Sequence, residues 1–302
     1  MRNLLLAGIM TIFCCSIGSA QTIIYSNSFD GGAVTISGTA PTVANDYAGG
    51  TSSATWNNVL INDVGMLANG DVDGSPTSVL LPFTPQSGYL YTLTASVTWS
   101  GYPGSWIGLG FAQNDNANVP SGYARFSDSG NGGPNGYDWL IARPTSASEQ
   151  WFAGPKGNPK AGLASGNLVA SNGTYILQLN LDTTGIKWSI SAFIDGIQFG
   201  TSYTYTNNLT IGAVGYTQTG LSAPANVQWK SMMLTATAVP ITNNTYWMAP
   251  TAVGAGDGSS SGNAANYLDA SFWNGIQSLL QVTNVNVNFA NGNYNAGTLN
   301  LN

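Results

Sequence analysis

Two short constellations carry side chains that could do chemistry. Asn69-Gly70-Asp71-Val72-Asp73-Gly74 sets side-chain oxygens at alternate positions and ends in glycine. This pattern matches the first half of an EF-hand-type calcium loop. Leu80 occupies the place where such a loop carries its bidentate glutamate, and leucine cannot ligate. Asn69, Asp71 and Asp73 are therefore candidate Ca2+ ligands that need help from another loop; the alternative is a glycine-rich turn with solvated carboxylates. The second constellation is Tyr137, Asp138, Trp139, Arg143 and Trp151, reached through a Gly-, Asn- and Pro-rich loop that begins near Asp128. Exposed rings can stack on the apolar faces of pyranoses, and Asp138 and Arg143 can hydrogen-bond hydroxyls. The alternative is that these rings pack in the core and at its rim.

What the chain lacks is as informative. Its 302 residues include seven Lys or Arg, thirteen Asp or Glu, no histidine and one glutamate, Glu149. Charged residues make up 7% of the chain, against about 25% in ordinary globular proteins. Without histidine there is no Ser-His-Asp or Cys-His catalysis and no imidazole metal site. One glutamate allows no paired-glutamate glycosidase centre, although Asp pairs remain open. The formal charge of −6 and the scarcity of basic groups argue against a nucleic-acid surface, which is built on Lys and Arg. With 38 glycines and 32 asparagines, most of the surface must be uncharged but hydrogen-bonding. Such a surface suits a neutral glycan, and it suits a bland secreted scaffold equally well.

Residues 1–20 read as a secretory signal peptide. Arg2 gives the positive start, Leu4 to Ile17 is apolar, and Gly18-Ser19-Ala20 places small residues at the cleavage site. The mature chain is expected to begin at Gln21, outside the cell and without a membrane span. The alternative is a membrane anchor. Phe13 before Cys14 fits a lipoprotein cleavage box badly. Both cysteines, Cys14 and Cys15, fall inside the signal, so no disulfide framework is available afterwards. Stability must come from core size, for which the mature length suffices.

Positioning any site falls to β-strands, since period-two alternation dominates. Tyr89, Tyr91, Leu93, Ala95, Val97 and Trp99 share one face of the clearest strand. Tyr175, Leu177, Leu179 and Leu181 share one face of another. Ile186, Trp188 and Ile190 continue in the strand after it, which should turn at Asp195-Gly196, a strong hairpin signal. Gln198 to Tyr205 is read as the return strand. Gly108 and Gly110 within Trp106 to Ala112 mark a close approach of backbone or ring. About a dozen strands make residues 21–238 one antiparallel sandwich. The texture changes near Val239-Pro240. Asp269 can cap a helix with Phe272, Ile276, Leu279 and Leu280 on one face. Val285, Val287 and Phe289 then alternate with asparagines. Residues 239–302 hold two charged side chains, Asp257 and Asp269, and are expected to pack poorly.

Leu81-Pro82-Phe83-Thr84-Pro85, Gly88 to Leu93, Trp106 to Phe111, Trp139 to Arg143, and Leu181-Asp182-Thr183 through Trp188 to Gly196 carry a resemblance. In order and spacing, Phe29 to Leu234 resembles the concanavalin A-like, laminin-G-like jelly-roll domains of secreted bacterial proteins. The resemblance implies an antiparallel jelly-roll β-sandwich that hosts lectins, glycosidases, lyases or spacers. Its laminarinase-like enzymes carry Glu, Asp and Glu closely spaced on one strand, a motif missing here. Thr245 to Pro250, the Gly256 to Ser259 loop, the helix and Val285 to Tyr294 resemble the start of pectate-lyase-like right-handed parallel β-helix proteins. That implies a capping helix and the first strands of an incomplete coil stack, with any active site further along.

The leading expectation is a secreted, non-catalytic carbohydrate-binding or adhesion module, monomeric, whose partner is a polysaccharide or cell-surface glycan. The alternative is the N-terminal fragment of a secreted polysaccharide lyase or glycoside hydrolase whose catalytic coils lie beyond Asn302. A spacer without a ligand is the third possibility.

Overall fold

In a computed structural model, the residues described are 21–31, 36–47, 50–60, 77–100, 106–113, 136–142, 149–152, 162–166, 172–219, 227–239, 245–280 and 285–294. The signal segment, the Asn69 to Gly74 loop, Arg143 and the 128–135 loop lie outside them.

The chain alternates between two antiparallel sheets. It enters the first through β1 (Gln21–Asn27) and β2 (Val43–Ala44), then crosses to the second through β3 (Asn57–Leu60) and β4 (Thr77–Pro82). The long β5 (Tyr89–Ser100) returns to the first sheet. The second then receives β6 (Trp106–Ala112), β7 (Gly136–Ala142), β8 (Glu149–Phe152) and β9 (Gly162–Gly166). Four strands follow in the first sheet: β10 (Asn172–Asp182), β11 (Ser189–Ile194), β12 (Ile197–Gln198) and β13 (Tyr203–Thr204). β14 (Ala213–Thr219) inserts between β4 and β6, and β15 (Val227–Ala238) between β5 and β1. The first sheet has eight strands and the second seven. Non-sequential neighbours in both make this a jelly-roll β-sandwich.

Alternation explains the core. Tyr91, Leu93, Ala95 and Val97 of β5 and Leu177, Leu179 and Leu181 of β10 turn inward and are almost fully buried. Ile107, Leu109 and Phe111 of β6 meet them from the other sheet. Burying a large apolar side chain stabilises by roughly 1.5–3 kcal/mol, so this shared core holds the sheets together. Two bulges adjust the pattern. One between Ile23 and Tyr25 turns both Ile24 and Tyr25 inward. The other, between Trp229 and Ser231, leaves Lys230 exposed. Asp195 (φ 50°) and Gly196 (φ 77°) form the expected two-residue turn between β11 and β12. Their positive φ values match a type I′ turn.

The structure corrects several readings. Ile186 does not continue β11; it leaves the sandwich core and joins a second one. Gln198 to Tyr205 is not one strand, since β12 and β13 each pair with β11 separately. The described residues beyond 239 are not poorly packed. β16 (Thr245–Ala249) pairs in parallel with β17 (Ala265–Asn266) on one side and β18 (Asn286–Phe289) on the other. Across this sheet lies α1 (Ala270–Leu280), whose N-terminal amides of Ser271 and Phe272 donate to Asp269 Oδ1 at 3.0 and 3.2 Å. Ile186, Tyr246, Met248, Phe272, Ile276 and Leu279 close a compact core. The sandwich supplies one of its members, which is why the segment packs better than its own residues would allow. Leu280, expected on the buried helix face, is exposed.

Candidate functional site

One member of the ring patch read from the sequence turns inward. Trp151 is fully buried, opposite Leu140 of β7, which is equally buried. The two point inward from neighbouring strands, so Trp151 is a core residue and cannot stack on a sugar. Tyr137, Asp138 and Trp139 lie along β7, with Trp139 registered between Gly110 of β6 and Phe152 of β8. Gly110 in turn faces Gly215 of β14. No side chain rises from the strands beside Trp139 on that side, and Gly108, Gly110 and Gly215 are all buried. An added Cβ at Gly215 would run into the Val79 carbonyl oxygen of β4. Backbone therefore approaches closely at Gly215, the cross-strand partner of Gly110.

The three candidate calcium ligands lie outside the described residues. Among the described residues, no group of three His, Cys, Asp or Glu side chains could hold a metal ion. Trp188 is core, as its strand position implied, and Trp56 and Trp229 join it.

A site that sequence reasoning missed lies at the β3 edge. The segments 36–39 and 54–57 run side by side, tied by Gly38 N–H to the Trp56 carbonyl and Trp56 N–H to the Thr39 carbonyl, each at 2.8 Å. A turn closed by the Thr39 amide and hydroxyl on the Ile36 carbonyl, at 3.0 and 2.7 Å, holds the first segment. Its Gly38 sits at φ 78°, a left-handed conformation natural to glycine. The result is a groove of about 490 Å³ lined by Ser37, Gly38, Ser52, Ser53, Ala54, Thr55, Trp56, Asn57 and Pro82. Ser53 and Thr55 are exposed, and the Ser52 hydroxyl accepts the Ala54 N–H at 3.3 Å. Among the described residues, no charged side chain lines the groove. Its hydroxyls, amide and backbone stand on a segment whose backbone is already fixed, so a ligand meets a preorganised, neutral, hydrogen-bonding wall. Trp56 is a lining residue whose side chain is almost wholly buried and packs on Phe29 and Tyr216 in the core.

Among the described residues, the titratable groups that the fold perturbs are phenols. The Tyr91 hydroxyl accepts the Gln86 N–H at 2.7 Å and donates to the Tyr47 hydroxyl at 3.0 Å; Tyr47 donates to the Thr84 carbonyl at 2.7 Å. Burial pushes the Tyr47 hydroxyl up to about 12. Burial first, and then the neighbouring Tyr47, push Tyr91 higher still. Tyr216 and Tyr246 are raised by burial. All stay protonated near neutrality, where they brace the core and offer no acid–base chemistry.

No family model matches the chain, and no curated protein matches it. Solved structures with a similar sandwich include the Emp47p carbohydrate recognition domain, 12% identical over 71% of this chain and 96% of that one, with a TM-score of 0.45. An endo-1,3-β-glucanase from Streptomyces sioyaensis is 13% identical over 72% and 97%, also with a TM-score of 0.45. Peanut lectin is 14% identical over 64% and 95%, with a TM-score of 0.38. These likenesses concern the sandwich architecture and assign no activity.

Proposed function

We propose that this chain is a secreted, non-catalytic carbohydrate-binding module, with residues 21–238 as the binding domain and residues 239–302 as the opening of a parallel β-helix. The observation that carries the binding role is the uncharged groove of Ser, Thr and Asn side chains over Trp56. A ligand recognised there must be neutral and rich in hydroxyls, since nothing in the lining neutralises a charge and every side-chain polar group can both donate and accept. The sandwich fold is compatible with this role and does not require it. The lone glutamate and missing histidine support a binding module over a hydrolase. Trp139 beside the glycine floor is a second candidate contact, and Asn69, Asp71 and Asp73 remain a candidate Ca2+ loop.

The test is a glycan array probed with the full chain and with Ser53→Arg and Trp139→Ala. Binding to neutral glycans that Ser53→Arg abolishes supports the groove. Binding that ignores Ser53→Arg but falls with Trp139→Ala moves the site to the second sheet. No binding to any glycan sinks the proposal. Calcium titration followed by calorimetry tests the Asn69 loop separately.

Four parallel residue pairs between β16 and β18, from Thr245↔Asn286 to Met248↔Phe289, support the β-helix reading. They equally support the second reading, in which further coils carry a polysaccharide lyase or hydrolase. Reading the gene past Asn302 for additional parallel-coil sequence with clustered Asp, Lys and Arg decides between them.

A further inference from the structure

Ile186 leaves the sandwich and enters the second core, among Tyr246, Met248, Phe272, Ile276 and Leu279. Its position is set from the sandwich side. The Asn208 side chain grips the backbone on both sides of Lys187: Nδ2 donates to the Ile186 carbonyl at 2.7 Å, and Oδ1 accepts the Trp188 N–H at 2.8 Å. Trp188 and Leu209, the neighbours of these groups, are buried in the sandwich core. The Tyr205 N–H donates to the Trp188 carbonyl at 2.9 Å and ties the two segments together again. Helix α1 is shaped to receive this knob. Gly275 faces it, and a Cβ there would fall 2.8 Å from the Ile186 carbonyl oxygen. One turn earlier, the Ser271 hydroxyl donates to the Thr206 carbonyl at 3.1 Å.

The two cores depend on each other unequally. Among the described residues, the sandwich core runs from Ile24 to Ala236 and takes no member from beyond 239. The second core takes Ile186 from the sandwich. We infer that residues 245–294 fold conditionally: their parallel sheet and helix form only against the Ile186 knob, which the sandwich holds ready, whereas the sandwich stands without them. The sandwich is then the platform on which the parallel sheet is started, whatever either part binds. Three physical points support this dependence. A unit of about 50 residues is marginal on its own, and this one holds no cysteine to close a disulfide. Helix α1 has 11 residues, below the roughly 12–15 at which an isolated helix begins to persist, and Gly275 in its middle weakens it further. The parallel pairing of Thr245 with Asn286 joins distant residues, so a long loop must close before the sheet gains any contact. A preformed apolar knob supplies what the segment lacks, and it gives the otherwise unfavourable helix glycine a packing reason.

Hydrogen exchange of the full chain, read by mass spectrometry on peptides from α1 and β16 and on peptides from β5 and β10, tests this. Three variants are compared. Ile186→Asp spoils the knob. Gly275→Leu blocks its seat while leaving the sandwich sequence untouched, and it replaces glycine by a better helix former. Leu279→Asp breaks the second core away from the junction. In all three, protection of α1 and β16 should fall by about a hundredfold or more, and that of β5 and β10 should stay as in the unaltered chain. Retained or raised α1 protection in Ile186→Asp or Gly275→Leu would mean that the segment folds by itself, and overturns the inference. Loss of β5 and β10 protection in any variant would make the dependence mutual, and overturns it as well.

Discussion

Gly275 in the middle of α1 offers a test in which two rules give opposite signs. Its φ lies outside the left-handed region, so alanine fits the backbone. Elsewhere, glycine to alanine inside a helix stabilises by about 1 kcal/mol. Here an added Cβ would run into Ile186 Cγ2 and fall 2.8 Å from the Ile186 carbonyl oxygen. The methyl group could swing aside, but the carbonyl belongs to the backbone between β10 and β11 and cannot. Overpacking of this kind costs about 1–3 kcal/mol, which exceeds the helix gain over most of its range. Gly275→Ala should therefore loosen α1 from the sandwich by up to about 2 kcal/mol. The two cores need not unfold together, so a single melting temperature is a poor readout. Hydrogen exchange of the α1 amides is the right assay, with protection expected to fall by up to roughly thirtyfold. Ile186→Ala alone, from a buried position, should cost about 2–5 kcal/mol. The double variant should lose less than the sum, because removing Cγ2 relieves one clash of the two. Unchanged or increased protection in Gly275→Ala would refute the close packing of helix and sandwich.

Three further outcomes follow from the same contacts. Trp151→Ala should cost about 3–5 kcal/mol in denaturant unfolding while leaving glycan affinity of the folded fraction unchanged; selective loss of binding would return Trp151 to the site. Thr183 is fully buried; its hydroxyl accepts the Tyr89 N–H at 3.1 Å and faces the carbonyls of Gln86 and Tyr89 at 2.7 and 2.8 Å. Thr183→Val should cost about 1–3 kcal/mol by taking this acceptor from the Tyr89 N–H and one of two donors from each carbonyl, which keep the Thr183 N–H and the Tyr91 hydroxyl, and a neutral result in urea titration would contradict the hub. The unfolded chain releases phenolic protons near 10, whereas folded Tyr47 holds its proton to about 12 and Tyr91 longer. Stability contributed by these phenols is intact below about pH 10 and falls as pH rises towards 12. Tyr47→Phe, which removes one of the two phenols, should make that loss shallower in unfolding measured against pH.

The strands whose two faces differ were plain in the sequence. β5 alternates without interruption over Tyr91 to Thr98, and β10 does so over Leu177 to Leu181, so their burial could be read directly. Asp195-Gly196 and the Asp269 cap were legible because each is a local rule satisfied within a few residues. Failures came where a distant element decides. Ile186 has the right spacing to extend β11, yet Phe272 and Ile276, far along the chain, draw it into another core. Trp151 sits on a strand of four residues, too short to show which face is inward until Leu140 is placed opposite it. Nothing local marks the groove either. Thr55 to Asn57 reads as a short strand around Trp56, and the stretch becomes one wall of a concavity when Gly38 and Thr39 are bonded beside it.

The central claim is binding of a neutral carbohydrate without turnover. Isothermal titration of the full chain with neutral oligosaccharides at low and high salt, followed by an assay of the recovered ligand for new reducing ends, tests both halves. The account predicts saturable binding that is unchanged by salt, as expected where no charge lines the site, lost in Ser53→Arg, and accompanied by no cleavage. Absence of binding, or binding with release of reducing ends, would contradict it.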